Sequence, residues 1–125
     1  MKKIFIIVVI GVLGYFIYQY IQSPKPNITD SQADLILFHG DGCPHCKIVS
    51  DYIDANQVES KVKISYHEVY YNKSNQILLQ ETVKKCPEID TTQGVGVPLA
   101  YSPLDTKCLY GDTPIIDWLK SKMLK

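Results

Sequence analysis

A chain of 125 residues, 46% of them hydrophobic, has room for one small domain with a core and not for two. Its thirteen lysines are balanced by thirteen Asp and Glu, and there is no arginine. Binding to nucleic acid, which draws on surplus positive charge and on the guanidinium fork, is therefore argued against.

The first segment is the most apolar. After Met1-Lys2-Lys3 comes Ile4 to Ile21, an uncharged run interrupted only by Gln19. As a helix its eighteen residues would cover about 27 Å, close to the roughly 30 Å core of a bilayer. Tyr15, Tyr18 and Tyr20 suit an interfacial aromatic belt, and Lys2 with Lys3 would hold the N-terminus in the cytoplasm. The expectation is one N-terminal transmembrane helix, an uncleaved signal-anchor over residues 1–22, with everything after it exported. A cleaved secretory signal is the competing reading. It would have a shorter apolar region and a small-residue cleavage site, where this chain has Gln22-Ser23-Pro24-Lys25-Pro26.

Residues 23–33 are polar, contain two prolines and read as a spacer. The compact domain is expected over residues 34–125. Leu35-Ile36-Leu37-Phe38 is a continuous apolar run bounded by Gly40 and Gly42, the pattern of a central strand buried on both faces. Pro44 suits the first position of a helix, with Ile48, Val49, Tyr52 and Ile53 forming one apolar face up to Asn56. Val62, Ile64 and Tyr66 alternate as a second strand, which Val69 and Tyr71 would continue. A second domain helix is expected from Ser74 to Lys85, stopped by Pro87. Val97 to Ser102 and Lys107 to Tyr110 read as a hairpin turning at Pro103-Leu104-Asp105. Asp112 with Pro114 opens a last helix carrying Ile115, Ile116, Leu119 and Met123 inward. A strand–helix–strand unit followed by a hairpin and a closing helix predicts an α/β fold with a four-stranded mixed sheet and flanking helices.

The chain has four cysteines: Cys43, Cys46, Cys86 and Cys108. Cys43 and Cys46 have C-x-x-C spacing at a strand-to-helix turn, which places the first sulfur at a helix N-terminus. Unpaired backbone N–H groups and the helix dipole favour a thiolate there, and the second cysteine lies one turn in, within reach of a disulfide. A copper or zinc site built from Cys43, Cys46 and His45 is the alternative, as in a metallochaperone, although metal ligation usually needs a second cysteine pair at similar spacing. Cys86 and Cys108 either form a second, structural disulfide or remain two buried thiols. His39, at the end of the first strand, reads either as a neighbour of the active site or, the commoner case, as a half-exposed strand-end residue, and His67 reads as a strand-surface residue.

Phe38-His39-Gly40-Asp41-Gly42-Cys43-Pro44-His45-Cys46-Lys47 resembles the active-site turn of the thioredoxin superfamily, nearest to its glutaredoxin branch. Val97-Pro98 is similar to the family's residue-plus-cis-proline pair, and the Cys-Pro-His-Cys tetrad to that of periplasmic disulfide oxidases. The resemblance covers about residues 34–124. It implies a thioredoxin/glutaredoxin-like fold, catalysis by Cys43 and Cys46, and substrate contact through the Val97 backbone and Pro98. The thioredoxin tryptophan before the first cysteine is Gly42 here, and the buried thioredoxin acid is Leu37.

The function expected is that of a membrane-anchored, extracytoplasmic thiol–disulfide oxidoreductase that needs no cofactor. Its partners would be protein thiols or disulfides and a membrane redox protein that resets the active site. Pro44 and His45 are expected to tune it. A His45 that is charged, or that donates to sulfur, would stabilise the Cys43 thiolate and hence the reduced form, favouring an oxidase or isomerase over a reductase.

Overall fold

The computed structural model describes residues 2–21 and 28–124, with side chains undescribed for 2–5, 20 and 21. The sequence readings on Met1, on the basic side chains of Lys2 and Lys3, and on the Gln22–Pro26 part of the spacer lie outside the described residues. Helix α1 is Lys2–Ile21, and its described side chains, 6–19, are all exposed. Methyl groups built on Gly11 or Gly14 would meet open space. Among the described residues no helix is long and apolar enough to cross a membrane. The residues of α1 whose side chains are described, 6–19, cover about 21 Å of the helix.

The domain is an α/β unit. Strand β1 (Leu35–His39) pairs in parallel with β2 (Ile64–Glu68) and antiparallel with β3 (Leu99–Ser102), which pairs antiparallel with β4 (Lys107–Tyr110). The four-stranded mixed sheet has the order β2-β1-β3-β4 and flanking helices. The unbroken apolar run of β1 follows from its central place. Leu35 and Leu37 face Val49 and Ile53 of α2 (Pro44–Ala55) and Ile115, Trp118 and Leu119 of α4 (Asp112–Met123). Phe38 faces the other way, onto Leu79 and Val83 of α3 (Lys73–Val83). A strand with one polar face could not sit there, because each face is covered by helices.

Several boundaries differ from the sequence reading. β2 ends at Glu68 and does not run on through Tyr71. The Glu68 carboxylate accepts the backbone N–H groups of Tyr70 (2.7 Å) and Tyr71 (3.0 Å), turning the chain away from the sheet and leaving Tyr71 exposed. α3 begins at Lys73, one residue before the expected Ser74, because Asn72 caps it, accepting the Asn75 N–H at 3.2 Å. β3 begins at Leu99, two residues later than Val97, since Pro98 has no N–H to give a ladder. The last helix starts at Asp112 as read, entered through Gly111 at φ 91°, a conformation that favours glycine. Cys86 and Cys108 are joined in a disulfide, Cα–Cα 5.8 Å, which ties the chain just after α3 to β4.

Candidate active site

Where β1 ends, Gly40-Asp41-Gly42 turns the chain into α2. Gly42 sits at φ 76°, and the Cys43 N–H closes the turn on the Gly40 carbonyl at 3.1 Å. This leaves Cys43 as the N-cap of α2, in extended conformation, with Pro44 at the first helical position, where a missing N–H costs nothing. The Cys43 Sγ accepts the N–H of Cys46 at 3.2 Å. Sulfur thus takes the place that a Ser or Asp oxygen holds in an ordinary cap, satisfying a helix-end N–H group. On its other side the Cys43 thiol donates to the Val97 carbonyl at 3.6 Å.

Both cysteines are free thiols and both are buried. Burial, reinforced by the hydrogen bond with Cys43, pushes the Cys46 thiol up to about 12. Cys46 is therefore protonated at neutral pH, and it must lose that proton before it can act as a nucleophile.

The Val97-Pro98 bond is cis, Pro98 is fully buried, and its carbonyl accepts the Gly111 N–H at 2.9 Å. The entry to α4 is thereby tied to the segment facing Cys43. His45 completes the same junction from outside: its Nδ1 is 2.8 Å from Asp112 Oδ2. Its side chain is 70% exposed. Among the described residues this is its one hydrogen bond, with none to either sulfur. The bond to His45, then that to Thr113, holds the Asp112 carboxyl below its ordinary value.

Cys43, Cys46, Pro44, His45, Val97 and Pro98 are thus gathered at one end of the sheet. The Cys86–Cys108 disulfide lies elsewhere, beside a separate cavity of about 600 Å³ lined by Glu88, Lys107, Cys108, Tyr110 and Trp118. Among the described residues no three His, Cys, Asp or Glu form a group able to hold a metal ion. Comparison with family models, curated proteins and solved structures finds no match.

Two residues of the site, Tyr70 and Glu68, escaped the sequence reading, and His39 lies beside the active site, one of the two places its strand-end position allowed. Tyr70 lies across Gly40, so that a methyl on Gly40 would fall inside its ring, and its phenol interacts with Cys43. Partial desolvation, then the neighbouring Cys43, raise that phenol's pKa. Glu68 links the Tyr70 turn to the cysteine turn, because besides Tyr70 and Tyr71 it accepts the Asp41 N–H at 3.3 Å. Desolvation acts to raise the Glu68 carboxyl, but these three N–H donors hold it below its ordinary value. His39 shares the sheet face of Leu35 and Leu37 and lines, with Cys43 and Cys46, an open cleft of about 610 Å³. Signals were present in the glycine at 40, a position that admits close approach, and in the period-two spacing of 35, 37 and 39.

Proposed function

We propose that the chain is a thiol–disulfide oxidoreductase of thioredoxin/glutaredoxin-like type, exchanging disulfides with protein thiols through Cys43 and Cys46. The observation that carries the reading is the Cys43 sulfur acting as the cap of α2, with the Cys46 thiol buried one turn behind it. A sulfur in that position gains most as a thiolate, and so serves as both nucleophile and leaving group. The element order and mixed sheet are what the family resemblance implies, and the Val97 carbonyl offers a backbone acceptor beside the reacting sulfur.

In the oxidising direction a substrate thiolate attacks the Cys43 sulfur of the Cys43–Cys46 disulfide. Cys46 leaves with the electron pair and takes up a proton. A second substrate thiolate attacks the substrate sulfur of the mixed disulfide and expels the Cys43 thiolate. Two electrons pass from the substrate thiols to the protein. A membrane partner takes them on, or supplies them if the enzyme runs in reverse. We favour the oxidising or isomerising direction on account of His45, which lies in the first turn of α2, at the positive end of the helix, with its side chain paired to Asp112 and not to a sulfur. The domain is proposed to work outside the cytoplasm, anchored by α1. What supports this is the Lys-Lys start, the uncharged run after it, and the exposure of every described side chain of α1.

Reduction of insulin or oxidation of a dithiol peptide tests the reading. Turnover should survive chelators, vanish in Cys43→Ser, and give way to a trapped Cys43–substrate mixed disulfide in Cys46→Ser. Turnover persisting in Cys43→Ser would sink it. Direction is read by redox titration against glutathione, with His45→Gly poised tens of millivolts lower than wild type, at about 30 mV per 1.4 kcal/mol. A His45→Gly potential equal to or above the wild type's would count against the oxidase direction.

A further inference from the structure

Disulfide exchange at this site needs Cys46 to change its protonation state, yet burial holds its proton tightly. The thiol faces no carboxylate on β1, whose residues on the α2 side are Leu35, Leu37 and His39. Of these only His39 titrates. It closes β1 and lines the same cleft as Cys46. Tyr66 of β2 meets it edge-on, ring centroids 6.3 Å apart. Among the described residues neither of its ring nitrogens has a hydrogen-bond partner, so one is open to a thiol or to a bridging water.

The charges around His39 come from three sides. Glu68 and His67 lie on β2, Asp41 on the turn, and Lys47 and Asp51 of α2 line the cleft, paired to each other at 2.7 Å. Burial is the largest influence and favours the neutral ring. Glu68 and Asp41 favour the cation, His67 opposes it, and the net effect lowers the pKa. The ring is therefore neutral at pH 7 and able to accept a proton.

Resting on the disulfide-exchange reading above, we propose that His39 is the proton acceptor and donor for Cys46. In the reducing direction Cys43 forms the mixed disulfide and one substrate thiolate departs. The Cys46 proton then passes to a His39 ring nitrogen, directly or through one water. The Cys46 thiolate attacks the Cys43 sulfur, the bond from Cys43 to substrate breaks, and the second substrate thiolate leaves with that electron pair. In the oxidising direction the imidazolium returns the proton to Cys46 as it leaves.

The test uses the full chain in detergent micelles, its Cys86–Cys108 disulfide intact and the other two cysteines reduced, mixed with dithiobis(nitrobenzoate). Attack by Cys43 releases a first equivalent of thionitrobenzoate, and resolution by Cys46 releases a second. His39→Gln should leave the first phase unchanged and slow the second about 100-fold at pH 7. In wild type the second phase should lose rate only as pH falls through the lowered His39 pKa, beneath the ordinary histidine value of about 6.5. In the variant it should climb about tenfold per pH unit, as expected for an unassisted thiol. His39→Glu, which supplies another base, should recover part of the rate. A second phase in His39→Gln with wild-type rate and pH profile would overturn the proposal. If His39→Gln also loses the first phase, the shorter His39→Asn is judged by the same two criteria. A wild type that releases no second equivalent would instead defeat the exchange reading, and this proposal with it.

Discussion

Tyr70 and Gly40 stand thirty positions apart in the chain and meet beside the Cys43 sulfur. The phenol O–H is a donor that a thiolate can use, and a hydrogen bond to a charged group contributes about 1.5–3 kcal/mol. Tyr70→Phe should therefore slow alkylation of Cys43 by iodoacetamide at pH 7, by about 10-fold. Gly40→Ala should have a similar effect by a different route. Its new methyl displaces the ring, which is half exposed and able to swing outward with little loss of stability. Because both changes remove one contact, the double variant should be no slower than either single one. Additive losses would show that the Gly40 effect comes from the turn itself.

At the scale of elements, the join between α3 and β4 is covalent. The Cys86–Cys108 disulfide closes a loop with a sequence separation of 22. In the chain-entropy model such a loop stabilises the fold by about 3 kcal/mol. Replacing both cysteines by Ala should lower the melting temperature by on the order of 10–20 °C while leaving Cys43 alkylation unchanged. Mass spectrometry after mild reduction should find two modified cysteines, Cys43 and Cys46, whereas four would show that the bridge is labile. The turn after β2 is held differently, by the Glu68 carboxylate on the Tyr70 and Tyr71 N–H groups and by Gln76 Nε2 donating to the Val69 carbonyl at 2.6 Å. That arrangement places Tyr70 on the cysteine turn, where a continued strand would have carried it away.

For the whole molecule, acid stability and membrane attachment are the properties to test. Ser65 Oγ and His67 Nε2 lie 2.6 and 2.7 Å from the same oxygen of Asp30, fastening the segment before β1 to β2. Burial acts to raise the Asp30 carboxyl, but the bonds from Ser65 and His67 outweigh it and the folded-state pKa is lowered. In the unfolded chain this group binds a proton near pH 3.9. Its contribution is thus present above about pH 3.9 and lost as pH falls through the lower folded value. Glu68 acts with the same sign, and so does His39, which needs a proton more readily unfolded than folded below about pH 6.5. Urea unfolding followed by Trp118 fluorescence should show stability falling below pH 4, less steeply in Asp30→Asn. An equal slope in the variant would assign the acid sensitivity to other carboxylates. If α1 is an anchor as proposed, membranes should retain the full chain after a carbonate wash, and protease added from outside the cytoplasm should reach the domain. Recovery of a soluble protein beginning near Pro24 would argue for cleavage.

What the sequence by itself determined is what local physics decides. The run at 35–38 can only be a strand covered twice, Pro44 after Cys43 can only open a helix, and their junction puts sulfur at a helix end. The order of elements followed from period and punctuation, as did the mixed sheet. Tertiary structure decided what depends on segments distant in the chain. No spacing rule connects Tyr70 to Gly40, or Asp112 to His45, since these pairs meet only once β1 lies between β2 and β3. His45 turned outward to Asp112 because α4 begins beside α2, a fact carried by the Pro98–Gly111 hydrogen bond. His39 became a cleft residue because it shares with Leu35 and Leu37 the face of β1 that α2 covers. The end of β2 was lost to periodicity because a carboxylate capping two backbone N–H groups leaves no pattern in hydrophobicity.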